Sequence, residues 1–517
     1  MQQQKQQTLE QPEGGAHSLP PQSGRWLTWR VVAVLTGVAL AVRLFHLDHR
    51  SMWTDEFHTL DAIRLDLASL IHDRLRAGHL PFYFVGLKLW SMVAGTSEWA
   101  LRFPSAVAGA LLVPALAVFA RRSMPPPVVW AMLVLGIFNS LAVSASQEAR
   151  MYSLLAVTTT MAHHQYFQMT RRPGWGPWAL YGFWMLLSVA LQPVAAVTAA
   201  GHFAFSYAVR RDCPDHAWRA RVVGSTIVLI AVPAAVAYVF SQQRFLTGSL
   251  SLPSVEVLWN RLAQIAFGRG NLFYGHKNVL AVLMTVCLAG LVRDWRSFRR
   301  GRPILLAGTR PENFFLKFCA VSVIVPAATL FVSRIFFTRV LGPERYFVPL
   351  TAPMFALTLW GLACLPGRWR TLTAAVTVAL VAAGLWGQWM DRGTGLREVA
   401  QWLAPRVGEN EVIVLRQSET AEMGLRYYGL KRGVCCHIPE RIRPEVIVAL
   451  VRECAAGQSQ IWLVNYRDDK QVVEKALARR APSFLTEVER FEFGEAAAMR
   501  LRVSDEATSP AAATSAQ

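Results

Sequence analysis

The chain has 517 residues, 53% hydrophobic and only 17% charged, with 18 tryptophans and 27 phenylalanines. Apolar runs of spanning length recur from about residue 26 to 390, which excludes a soluble globular protein and reads as a polytopic membrane protein with no cleavable signal peptide. The net charge of +19 fits cytoplasmic arginines against anionic lipid headgroups rather than nucleic acid, so membrane lipids are expected partners and nucleic acid is not.

Residues 1–24 are rich in Gln, Pro and Gly and read as a disordered cytoplasmic tail. Residues 25–390 form the expected all-α transmembrane domain. Its first span is Trp26–Phe45, with Arg30 and Arg43 near the ends, where they can snorkel. Within residues 46–100, Leu80–Gly95 is apolar but short for a span and carries Lys88. The basic clusters Arg121-Arg122, Arg171-Arg172, Arg210-Arg211, Arg293–Arg310 and Arg368/Arg370 fall on one side together only if this segment does not cross. Residues 46–100 are therefore expected to be one external loop with amphipathic helices on the bilayer. Further spans follow at about 103–120, 128–146, 151–169, 175–191, 193–209, 222–240, 278–292, 314–332, 347–365 and 372–390, with an outer turn at Gln192-Pro193. That makes about 11 transmembrane helices, with external segments at 46–100, 147–150, 241–277 and 333–346. Val255–Phe267 reads as an amphipathic surface helix.

Residues 391–503 read as a small extracytoplasmic α/β domain: helix Leu396–Arg406, strand Glu411–Leu415, helix Pro444–Ala455, strand Gln460–Val464 and helix Asp469–Arg480. Cys435, Cys436 and Cys454 lie in it, leaving open one disulfide to Cys454 or a free thiol. Cys287, Cys319 and Cys364 lie in spans as packing residues. Residues 504–517 form a second disordered tail. No P-loop, GxGxxG, HExxH, CxxC or D-x-D pattern occurs.

The chemistry should sit in the external segments, where charge collects at the ends of apolar runs. Ser51–Phe57 places Asp55 and Glu56 beside Trp53 at a membrane edge, and Asp55 reads as a catalytic base. His79, Lys88, Glu98 and Arg102 lie in or beside the same loop. Glu148, Arg150 and Tyr152 lie in Gln147–Tyr152, and Glu344, Arg345 and Tyr346 follow Pro343. Plainer roles stand beside these. Glu98 and Arg102 have the i,i+4 spacing of a helix-end ion pair. Glu148 and Arg150 could pair with other loops, Lys88 and Arg345 could snorkel, and His79 could be a turn residue. His163-His164 falls near an inner helix end and reads as non-catalytic.

The ordered motifs Trp53-x-Asp55-Glu56, His79-Leu80-Pro81-Phe82-Tyr83, Ser97–Ser105 and Gln147–Tyr152 resemble the GT-C membrane glycosyltransferases, in the branch with protein O-mannosyltransferases and the bacterial lipid A aminoarabinose transferase. Many relatives have two prolines where this chain has Leu80-Pro81. The resemblance implies catalysis at Asp55 and Glu56, a sugar on polyprenyl phosphate as donor, and a lipid, glycan or protein acceptor at the outer face of a bacterial inner or plasma membrane. Inversion is the typical outcome. An anionic phosphate leaves without an acid but needs cations, and arginine suits it by bidentate hydrogen bonds. Arg150 and Arg345 are the expected donor-phosphate ligands, with Lys88 and Arg102 in reserve. His79, Glu98, Glu148, Tyr152 and Tyr346 are expected to orient substrate. Glu56 and Glu98 could orient the base, position the acceptor or hold a divalent cation, and no metal ligand set is evident. The alternative function is a transporter or flippase of lipid-linked sugars, which predicts internal repeats and charges at span centres; neither is seen.

Overall fold

Thr28 opens the first helix by accepting the Val31 N–H on its hydroxyl, and α1 runs over Trp29–Leu44. The computed structural model describes residues 26–170, 175–208, 224, 254–269, 276–299, 310–333, 344–391, 393–416, 419–438, 443–466, 472–480 and 483–504. Three short helices follow α1: α2 (Thr54–Arg64), α3 (Leu67–Arg76) and α4 (Phe82–Ala94). At 13 residues, α4 is about 20 Å long, against roughly 30 Å for a bilayer core.

The bundle continues with α5 (Glu98–Ala110), α6 (Leu112–Ala120), α7 (Pro126–Phe138), α8 (Ser140–Ser146), α9 (Tyr152–Met169), α10 (Trp175–Leu191), α11 (Val197–Ala208), α12 (Val255–Phe267), α13 (His276–Arg299), α14 (Arg310–Ser333), α15 (Thr351–Ala363) and α16 (Gly367–Met390). A 3-10 turn, Glu344–Leu350, leads into α15. Five of the described helical stretches are long and apolar enough to cross a membrane: Glu98–Ala120, His276–Ser297, Phe314–Val332, Glu344–Ala363 and Gly367–Met390. The α7–α8 pair, bent by 46°, makes a sixth if it is one span. The chain is thus a multi-pass membrane protein. Eleven spans are not established among the described residues, and the expected span at 222–240 lies outside them except for residue 224.

The bend between α7 and α8 has a local cause. Asn139 Oδ1 takes the N–H groups of Leu141 and Ala142, so the carbonyls a turn earlier lose their helical donors. Arg43 supplies donors at the break, to Gly136 O at 2.7 Å and Ile137 O at 3.3 Å, and reaches Ser146 Oγ on α8 at 3.2 Å. Arg43 is fully buried. The expectation that it snorkels to the interface is corrected: it splints a broken helix, because a guanidinium carries enough donors to serve several carbonyls.

After α16 come α17 (Leu396–Leu403), α18 (Glu419–Tyr427), α19 (Pro444–Ala455) and α20 (Val472–Arg480) around a five-stranded sheet. Its strands are β1 (Val412–Arg416), β2 (Val434–Ile438), β3 (Gln460–Tyr466), β4 (Leu485–Phe493) and β5 (Ala496–Val503), in the order β2-β1-β3-β5-β4. β1 pairs in parallel with β2 and β3, with Val412 opposite both Val434 and Ile461. β5 is antiparallel to β3 and β4. The apolar runs in β1 and β3 match the two expected strands, whereas β2, β4, β5 and α18 add to the expected elements. A disulfide joins Cys436 on β2 to Cys454 on α19, and Cys435 is a free thiol.

Candidate active site

Asp55 and Glu56 lie in the first turn of α2, where carboxylates are favoured by the unpaired N–H groups. Adjacent helical positions point about 100° apart, and the two side chains part company accordingly. Glu56 turns inward and is 1% exposed. It receives Arg102 Nε at 2.8 Å and Nη2 at 2.7 Å, the Ala149 N–H at 2.8 Å and the Trp53 N–H at 3.4 Å. Asp55 stays 24% exposed and faces two cations: Arg345 Nη1 at 2.9 Å and Arg150 Nη2 at 3.8 Å.

Arg150 is buried and also donates to Thr59 Oγ1 at 3.2 Å and to the Asp55 carbonyl at 3.4 Å. The Tyr152 ring lies beside both guanidinium groups, 5.9 Å from Arg150 and 5.4 Å from Arg345. Arg345 stacks over Trp53 at 4.8 Å. Arg150 Nε, Arg345 Nε, Trp53 Nε1 and His79 Nδ1 are buried with no hydrogen-bond partner among the described residues. Burial, with Arg150 and Arg74 nearby, pulls the His79 pKa down to about 3, so its ring is neutral. Tyr346 is half-buried.

A cleft opens beside Arg345, lined by Ser144, Glu148, Tyr152, Arg269 and Glu344 among others. It shares Leu141, Ala145, Tyr152 and Val348 with an apolar neighbour reaching Leu112, Ala156 and Ile265. Burial raises the Glu148 pKa, and Arg269 opposes that from 3.9 Å. Glu344 is paired with Arg269 at 3.4 Å and with Arg261 at 2.8 Å. Arg269 was not among the expected residues. Its signal was Gly268, which ends α12 at φ 109°; a Cβ there would come within 2.4 Å of Ser140 Oγ, the group that receives the Arg269 N–H.

Three expected residues are engaged elsewhere. Arg102, 1% exposed, gives its remaining donors to the carbonyls of Leu47 and Arg50. The expected helix-end pair of Glu98 with Arg102 gives way to the bidentate Glu56–Arg102 pair. Lys88 Nζ donates to the carbonyls of Ile63 and Leu65 at 2.9 and 2.6 Å, capping the end of α2. Neither reserve cation has a free face toward Asp55. Glu98 instead meets the C-terminal unit: it bonds Arg397 and the Tyr428 hydroxyl and accepts the Met52 N–H at 3.1 Å. The Met52 N–H also reaches Tyr428 Oη at 2.6 Å, and Ser51 Oγ lies 3.0 Å from Thr394 Oγ1. The residues preceding Asp55 are thus held by α17, α18 and their flanking loops. Among the described residues no group of three or more His, Cys, Asp or Glu could hold a metal ion.

No family model matches the sequence, and no curated protein does. Solved structures do. ArnT from Cupriavidus metallidurans bound to undecaprenyl phosphate aligns over 94% of this chain and 100% of its own, with TM-score 0.53 and 14% identity. The same protein in the apo state aligns over 93% and 99%, with TM-score 0.54 and 14% identity. The Archaeoglobus fulgidus oligosaccharyltransferase, in complex with zinc and sulfate, gives TM-score 0.48 at 12% identity over 84% of this chain and 67% of its own. At 14% identity the likeness is one of architecture: the chain shares the fold of the ArnT structures.

Proposed function

We propose that this chain is an integral-membrane glycosyltransferase that moves a hexosyl or pentosyl group from polyprenyl phosphate to a hydroxyl, or a phosphate, of a lipid, glycan or protein acceptor. The observation that carries the reading is the Asp55–Arg345–Arg150 cluster: one part-exposed carboxylate against two arginines whose Nε donors lack partners among the described residues, at the mouth of a cleft that is polar at one end and apolar at the other. An amphiphile with an anionic head matches that shape. The ArnT structure bound to undecaprenyl phosphate supports a polyprenyl phosphate as donor carrier.

In this reading Arg345 rests on Asp55 until donor phosphate competes for its guanidinium. The exchange frees the carboxylate beside the anomeric carbon. Asp55 takes the acceptor's hydroxyl proton as the oxygen attacks that carbon. The bond from the anomeric carbon to the phosphate oxygen breaks, and its electron pair leaves with the phosphate, which Arg150 and Arg345 neutralise. Attack opposite the leaving group inverts the centre. Glu56 acts one step back, holding α2 through Arg102 and the Ala149 N–H. The Asp55 site and the C-terminal unit face the extracytoplasmic side, and residues 25–390 and 391–503 act as catalytic and covering domains.

The test is transfer of labelled sugar from polyprenyl phosphate in membranes, with mass spectrometry of envelope glycolipids and glycoproteins with and without the gene to identify the acceptor. Wild type should transfer, and Asp55→Asn at matched expression should lose roughly 10²–10⁴-fold in turnover. Asp55→Asn that binds donor and transfers at the wild-type rate would end the case. Movement of lipid-linked sugar across the bilayer without transfer would favour a flippase.

A further inference from the structure

His163, read from sequence as non-catalytic, sits in a buried polar chain between membrane helices. His163 Nε2 lies 3.1 Å from the Pro349 carbonyl oxygen, and its Nδ1 lies 2.9 Å from His202 Nε2. His202 Nδ1 lies 3.0 Å from the Tyr181 hydroxyl. The members come from α9, α11, α10 and the 3-10 turn before α15, and both histidines are fully buried. Tyr166 stacks on His202 at 4.4 Å and donates its hydroxyl to the His202 carbonyl at 2.7 Å, fixing that ring.

The terminal acceptor sets the direction of the whole chain. A carbonyl oxygen only accepts, so His163 Nε2 carries a hydrogen. In a neutral imidazole Nδ1 is then an acceptor, so His202 Nε2 is the donor to it. His202 Nδ1 in turn accepts from Tyr181. One tautomer of each ring satisfies every contact.

The sequence also removes the α-helical donor to the Pro349 carbonyl, where the 3-10 turn gives way to α15. In a helix it would receive the N–H of the residue four positions on. That residue is Pro353, which has none. His163 fills the gap that Pro349-x-x-x-Pro353 leaves. The turn it anchors, Glu344–Leu350, carries Arg345 at its start, about 8 Å along a 3-10 rise from the anchor.

We propose that His163, oriented by His202 and Tyr181, is a positioning residue for donor recognition: its Nε2–H holds the Pro349 carbonyl and so sets where Arg345 stands against Asp55. The proposal rests on the reading of Arg345 as a donor-phosphate ligand. It explains a buried histidine pair that the proposed chemistry does not otherwise use.

The experiment measures binding of undecaprenyl phosphate to the purified full-length protein, alongside thermal stability. Glutamine places an amide N–H near the imidazole Nε2 position, whereas asparagine reaches only Nδ1. His163→Gln should bind within about 2-fold of wild type, and His163→Asn should bind roughly 5-fold more weakly, the range of one lost hydrogen bond. Arg345→Ala should weaken binding further, and adding His163→Asn to it should cost nothing more, because both act through the same guanidinium. Pro353→Ala restores an N–H one turn on and should recover most of the binding lost in His163→Asn. Equal behaviour of the two polar isosteres, additive losses in the double variant, or no recovery with Pro353→Ala would each overturn the proposal. Were His163→Asn alone to misfold, its combination with Pro353→Ala should return folded protein that binds, and failure to do so overturns it as well. Wild-type binding by Arg345→Ala overturns the reading of Arg345 itself, a separate outcome.

Discussion

Adjacent carboxylates should answer differently to the same kind of substitution. Glu56→Gln keeps the shape and removes the charge. Each Glu56 oxygen now accepts two N–H groups, one from Arg102 and one from the backbone. Whichever oxygen becomes NH2 will face two donors. That loses one charge-assisted bond and one backbone bond, and leaves the buried Arg102 charge without its counter-ion. Together these should destabilise the fold by about 3–5 kcal/mol, a large part of the roughly 5–15 kcal/mol that holds a domain together. Asp55→Asn removes a part-exposed ion pair that is screened by solvent, and should cost no more than about 1 kcal/mol. Its loss should appear in turnover instead. The assay is thermal unfolding of both variants in detergent, with labelled-sugar transfer per folded molecule measured in parallel. Glu56→Gln unfolding at the wild-type temperature, or Asp55→Asn losing as much stability as Glu56→Gln, would refute this division of roles. A chelator arm adds a further reading: inhibition of wild type would bring back a divalent ion.

Arg150→Lys and Arg345→Lys should each weaken donor use, because lysine keeps the charge and loses the planar fork; the alanine variants should lose about 2–4 kcal/mol of donor binding, and wild-type affinity in both would leave these residues as anchors only. His79 titrates near pH 3 when folded against an ordinary 6.5, so between those values the unfolded chain holds a proton that the native ring does not. His79 therefore makes stability fall by up to about 1.4 kcal/mol per unit as pH drops from 6.5 toward 3, with no effect above 6.5; His79→Asn should flatten the acid side of a stability profile, and an unchanged slope would count against a buried neutral ring. Cys436→Ser should destabilise the C-terminal unit by about 3 kcal/mol, the scale for a loop of 18 residues, with the same shift produced in wild type by a reductant; Cys435→Ser should do far less.

Sequence alone determined what depends on composition and local order. Long apolar runs set the membrane class, because burying apolar surface is a property each residue carries with it. Charged residues at the ends of those runs pointed to Asp55, Arg150 and Arg345, which the fold brings into one cluster. The apolar runs of β1 and β3 were legible for the same reason. β4 was not: in Leu485–Phe493 the polar pairs Thr486-Glu487 and Glu489-Arg490 break the two-residue alternation that marks a strand, and its place as an edge strand depends on β5 lying beside it. Partner choice was also hidden. Glu98 and Arg102 are one helical turn apart and read as a pair, yet Arg102 takes Glu56 from 46 residues away and Glu98 takes Arg397 from 299 residues away. Arg43 in the α7–α8 break, Arg269 in the cleft and the His163 chain follow the same rule. Each is a polar group whose partner is a carbonyl or carboxylate on a distant segment. Only tertiary packing decides which distant groups meet, because the cost of an unpaired buried charge or carbonyl is felt only after the helices have come together.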